Sequence, residues 1–113
     1  MDNHFTAERI ADILVSKSIA FEQKRMFGGE CFMVDDKMCM GTYKNGLMAR
    51  VGPDDADALT ERAGASQMIH GGRLMTGYLF VELEGFDNDR DLIFWVEKCL
   101  EFNPKAKSSK KKA

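Results

Sequence analysis

A chain of 113 residues, 44% hydrophobic and 30% charged, is long enough for one domain with a real core, too short for two, and unlike a disordered polymer. No apolar run reaches the roughly 18 residues of a membrane span, and the opening MDNHFTAERI lacks the basic-then-apolar layout of a signal peptide, so no membrane contact and a cytoplasmic location are expected. The formal charge of −2 is uneven: removing Lys105, Lys107, Lys110, Lys111 and Lys112 from the 16 basic residues leaves 11 against 18 acids, a body of about −7. Such a body does not suit duplex DNA, which needs clustered Lys and Arg. Residues 105–113 are expected to form a disordered basic tail on a domain spanning 1–104.

From Phe5 to about Lys17, Phe5, Ala7, Ile10, Ala11, Ile13 and Leu14 fit one face of a helix, with Thr6 or Asn3 as cap. His4, with no second ligand in register, is a surface residue rather than a metal ligand. Ser18 to Gln23 links this helix to the stretch Lys24–Val51, which reads as a three-stranded antiparallel meander. Asn45-Gly46 supplies a type I′ turn, Asp35-Asp36 a weaker one, and Gly28-Gly29 a bulge or bend.

Two-residue loops then place Cys31, Met33, Met38, Met40, Leu47, Ala49 and Val51 on a core face, and Phe32, Val34, Cys39, Tyr43, Met48 and Arg50 on the other. Helices that each offer one apolar stripe are expected to crowd onto one side of the sheet. The second face is left partly bare, as a homodimer or partner interface through Phe32, Val34, Tyr43, Met48 and Arg50.

In GPDDADALTERAG, Pro53 suits a first helical turn, Asp54, Asp55 and Asp57 the positive end of the helix, and Gly64 a stop. Ser66 to Ile69 is a brief strand and Gly77 to Leu83 a firm one. Between them, Gly71-Gly72 flanked by His70 and Arg73 is a glycine-bearing connection, with an anion-binding nest as the second reading. A helix from Asn88 to before Pro104 buries Leu92, Trp95, Val96, Cys99 and Leu100, and Asn88 caps it with Asp91 at N3. The cysteines Cys31, Cys39 and Cys99 are odd in number and form no CxxC pair, so packed thiols are expected, with Cys31 and Cys39 unbonded on opposite faces.

The order is helix, three strands, helix, one or two strands, helix: a single α+β domain with helices packed on an antiparallel sheet. KRMFGGECF, the run to LMARVGPDDADAL, GRLMTGYLFVE and the ending DLIFWVEKCLEFNPKAKSSKKK resemble the TfoX N-terminal domain family, in particular its short stand-alone members. That resemblance implies an α-β(3)-α-β(2)-α fold. In the longer, two-domain members it also implies a link to regulation of natural competence genes in cooperation with the cyclic AMP receptor protein. It brings no catalytic residues, and no cofactor or metal is expected. The expected function is a small non-enzymatic regulatory or protein-interaction domain. The alternative is an enzyme or anionic small-ligand-binding protein using Arg25, Gly28, Gly29, His70, Gly72 and Arg73.

Overall fold

Tight turns set the architecture. Phe27 and Gly28 (φ 56° and 75°), Asp35 and Asp36 (54° and 64°), and Gly71 and Gly72 (59° and 78°) each place both central residues in the left-handed region. That geometry gives a hairpin turn whose twist matches its strands. The computed structural model describes residues 3–106. In it, α1 (Asn3–Ser16) precedes β1 (Glu22–Met26), β2 (Gly29–Val34), β3 (Lys37–Tyr43) and β4 (Gly46–Arg50). Then come α2 (Pro53–Leu59), β5 (Ala65–His70), β6 (Arg73–Val81) and α3 (Asp89–Phe102). The six strands form one antiparallel sheet in the order β1-β2-β3-β4-β6-β5.

The meander therefore has four strands, because Phe27–Gly28 is a full turn and not a bend within one strand. Asn45-Gly46 is not the central pair of its turn. Tyr43 pairs with Gly46, so the turn residues are Lys44 and Asn45, and Gly46 already belongs to β4. Its lack of a side chain serves packing, since a Cβ there would lie 2.4 Å from the Val81 carbonyl oxygen.

A β-bulge overturns the expected division of faces. Val34 pairs with Lys37 and Met33 with Met38, but Phe32 pairs with Met40, leaving Cys39 as an extra residue. Parity along β3 reverses at that point. Phe32, Val34, Cys39 and Met40 join Leu47, Ala49, Val51, Leu79 and Val81 on the face covered by α1, α2 and α3. Cys31, Met33 and Met38 join Tyr43 and Met48 on the other. Cys31 and Cys39 do lie in different clusters and are free thiols, with the sides exchanged.

The helical face is closed by the expected stripes except at Phe5 and, in part, at Leu100, which is half-buried. Ala7, Ile10 and Leu14 of α1 are buried, but Phe5 is 51% exposed. Arg9 ties α1 to the start of α3 by donating through Nη2 to the Phe86 carbonyl at 3.1 Å. In α3, Leu92, Trp95, Val96 and Cys99 are buried, and the Trp95 indole N–H donates to the Gly85 carbonyl at 3.1 Å. Asn88 caps α3 as expected: its Oδ1 accepts from the Asp91 amide at 2.9 Å, and its Nδ2 donates to the Asp91 carboxylate at 3.0 Å. A 3-10 segment, Asn103–Lys105, follows. Asn103 donates to the Val34 carbonyl at 3.2 Å, Lys37 donates to the Asn103 carbonyl at 3.0 Å, and Ala106 is buried. Packing thus continues two residues past Pro104. The other four lysines of the expected tail lie outside the described residues.

Among the described residues no helix covers the second face, yet it is not bare. The two ends of the sheet curl toward each other over a methionine-rich cluster in which Met33, Met38, Met48 and Met68 are buried with Cys31 and Tyr43. Phe27 and Phe80 pack at its margin. Met48 is 1% exposed. Of the expected interface set, Phe32 and Val34 therefore lie under the helices and Tyr43 and Met48 within the curl, while Arg50 is half-buried. A sheet that twists in one sense across six strands can shelter a face by itself, which an argument from helix stripes does not anticipate.

Candidate functional site

The first place to look is the pair of glycine-bearing turns. The β1–β2 and β5–β6 turns are neighbours, since the Phe27 and His70 rings meet edge-on with centroids 4.9 Å apart. The Tyr43 hydroxyl lies 2.9 Å from His70 Nδ1 and 3.4 Å from the Ile69 carbonyl. Gly28 and Gly72 are glycine for their positive φ, with open space where a Cβ would stand, whereas a Cβ on Gly29 would strike the Thr42 carbonyl at 2.4 Å. Arg73 pairs with His70 in the ladder and is exposed. Arg25 does not join them. It alternates with Met26 of the inner cluster, so it projects to the opposite side, where it lies 3.9 Å from Glu30. The six residues of the expected anion site thus fall on two sides of the sheet.

The thiols offer little nucleophilic chemistry near neutral pH. Burial pushes Cys31 up from 9.0 to about 11 against the opposing pull of Arg50 and Lys24, and burial pushes Cys39 up to about 12. Cys99 is also raised by burial, well above 9.0. All three stay protonated, and the thiolate is the reactive form.

A cleft forms where β4, α2, β6 and the end of α3 meet. Arg50 occupies one wall. Its Nη1 donates to the Met38 carbonyl at 3.2 Å, and its guanidinium carbon lies 5.3 Å from the Tyr78 ring centre and 5.8 Å from that of Phe102. These contacts fix its direction. Below it is a hollow of about 380 Å³ bounded by Pro53, Thr76, Gly77 and Phe102, with Asp54 and Lys105 also on its wall. A smaller hollow of about 150 Å³ shares Gly52, Asp54, Phe102 and Lys105 and adds the carboxylates of Asp55 and Glu101. Glycines make the floor. A Cβ on Gly52 (φ 90°) would lie 2.4 Å from the Phe102 ring, and one on Gly77 (φ 85°) 3.1 Å from the Pro53 nitrogen. The amides of Val51 and Gly52 both donate to the Gly77 carbonyl at 3.0 Å, which locks the two glycine corners together.

The sequence model of the TfoX N-terminal domain matches residues 14–103. The chain belongs to that family. The matched span runs from the C-terminal part of α1 through the whole sheet to Asn103, so every cleft residue except Lys105 lies within the family domain. Comparison with curated proteins and with solved structures returned no match. Among the described residues no helix is long and apolar enough to cross a membrane, and no group of three or more His, Cys, Asp or Glu side chains is placed to hold a metal ion.

Of the cleft residues, the sequence of this family member points only to Arg50, as part of an interface. Pro53 reads as the first turn of a helix and Gly77 as the start of a strand. The available signal was the pairing of a glycine before Pro53 with the glycine that opens GYLFVEL, two corners that need positive φ.

Proposed function

We propose that this TfoX N-terminal domain is a non-enzymatic regulatory module that works in the cytoplasm by binding another protein. The observation that carries the reading is on the β5–β6 hairpin. Ile69 and Leu74 are ladder partners, and they are 57% and 58% exposed, side by side on the outermost strand pair. Two adjoining branched apolar side chains on an edge hairpin are unfavourable in water and well suited to an apolar contact with a partner. A body of about −7 supports a protein partner over duplex DNA. Three free thiols suit a reducing compartment.

The burial of Met48 and Tyr43 moves the proposed contact away from the sheet face and onto this hairpin. Affinity capture from cytosol with the wild type and with an Ile69→Ser/Leu74→Ser double variant tests it. The wild type should retain a partner that the folded double variant loses. Equal retention by both would overturn the hairpin as the contact.

A further inference from the structure

The cleft beside Arg50 has features that neither the core nor the hairpin contact requires. An arginine whose direction is set by a carbonyl and two rings faces a hollow of about 380 Å³, and charges of both signs line the walls. We infer that this cleft is a binding site for a small zwitterionic ligand of the amino acid class, its carboxylate held by Arg50 and Lys105 and its ammonium group by Asp54 and the carboxylates next to it.

Three properties point to that class. First, the Arg50 guanidinium, with Nη1 committed to the Met38 carbonyl, lines the hollow, and its positive charge suits a carboxylate. Second, the cations do not stand alone. Asp54 lies on the wall of both hollows, and Asp55 and Glu101 line the smaller one, so a purely anionic ligand would meet three carboxylates there. A ligand with separated charges of both signs satisfies both ends, and a plain phosphate or acetate satisfies only one. Third, the Phe102 ring and Pro53 supply apolar surface between the charged groups, room for an aliphatic or aromatic body.

The walls are also held in place. Lys37 and Asn103 anchor the 3-10 segment that carries Lys105, while the paired amides of Val51 and Gly52 on the Gly77 carbonyl keep the glycine floor rigid. A preformed hollow lowers the ordering cost of binding a small molecule.

The test is an amide-resolved NMR titration of the whole chain with each of the twenty free L-amino acids at millimolar concentration, with acetate, methylamine and inorganic phosphate as single-charge probes. At least one amino acid should shift the amides of Gly52, Gly77 and Phe102 in a saturable way, and the three single-charge probes should bind at least about tenfold more weakly. Arg50→Gln should weaken that binding by about tenfold or more, as expected for loss of a charge-assisted pair. Because Arg50 also braces the fold, Thr76→Trp provides a second variant: Thr76 is exposed at the rim, and the indole should block the hollow while leaving the remaining spectrum unchanged. Saturable shifts with phosphate or acetate as tight as with any amino acid would overturn the zwitterion and leave an anion site. No saturable shift with any of the twenty, or undiminished binding in Thr76→Trp, would overturn the site itself.

Discussion

The rings of Phe27 and His70 meet edge-on at 4.9 Å although they belong to turns at opposite ends of the strand order. Phe27 makes this contact from a φ of 56°, which costs a bulky residue about 1 to 2 kcal/mol relative to the right-handed region. The contact closes the curl of the sheet over its methionine cluster, with Tyr43 bridging to His70 from inside. Phe27→Gly removes both the strain and the ring. We expect stability to change little, while Met48 and Met68 become more accessible. Peroxide oxidation followed by peptide mass spectrometry should show both methionines protected in the wild type and oxidised several-fold faster in the variant.

Met48 itself gives a sharper test of the curl. A glutamate at a position 1% exposed must either ionise among methionines or stay protonated without its usual solvent. We expect Met48→Glu to cost about 4 kcal/mol or more, read from urea denaturation. A variant that stays as stable as the wild type would mean that this face of the sheet is open to solvent.

Two glycines in the meander should respond very differently to alanine. At Gly28 a Cβ meets open space, and the only penalty is a φ of 75°, so Gly28→Ala should cost about 1 kcal/mol. At Gly46 the new Cβ would lie 2.4 Å from the Val81 carbonyl and 2.8 Å from the Phe80 ring. Gly46→Ala should therefore separate β4 from β6 and cost about 3 kcal/mol or more, as overpacking against backbone does. Thermal denaturation of the two variants side by side measures the contrast.

Alkaline pH should destabilise the domain through its thiols. Below pH 9, Cys31 and Cys39 are protonated in both folded and unfolded chains, so this contribution to stability is fully present. Above pH 9 the unfolded chain releases those protons, while the folded chain holds them until about pH 11 for Cys31 and about 12 for Cys39. Stability is lost across that window, by about 2 to 3 kcal/mol for a shift the size of that at Cys31. Urea midpoints from pH 8 to 10.5 should fall, and less steeply in Cys31→Ala.

The same burial predicts that Cys31 and Cys39 are unbonded and slow to alkylate. Iodoacetamide at pH 7.5 should label neither within minutes under native conditions and both rapidly in urea. A Cys31–Cys39 bridge in the non-reduced native protein would contradict their placement in separate clusters.

Legibility in the sequence followed how one-sided each element is. The α3 helix was readable down to its cap because its buried residues Leu92, Trp95, Val96 and Cys99 recur at helical spacing and Asn88 and Asp91 stand at cap and N3. In β2 and β3 both faces are buried, so nearly every position is apolar and alternation gives no warning of the bulge at Cys39. The turn at Phe27 was hidden for a related reason: a bulky aromatic is an improbable residue at φ 56°, and only its tertiary contact with His70 explains it. β1, exposed along almost its whole length, carries no hydrophobic pattern. As for the cleft, Arg50 and Phe102 are brought together by α3 packing across the end of the sheet, a long-range relation with no local signature.

The strand order, in which β4 neighbours β6 and β5 lies outside, has a consequence for how the chain finds its shape. Each pairing in the meander from β1 to β4 closes a two-residue loop, so that half can assemble from local hairpins. Joining Leu47 to Val81 instead closes a loop of about 30 residues that must already have laid down α2 and turned the β5–β6 hairpin back on itself. The longest closure in the sheet is therefore between β4 and β6, and we expect the docking of the C-terminal hairpin there to be the slowest pairing to form.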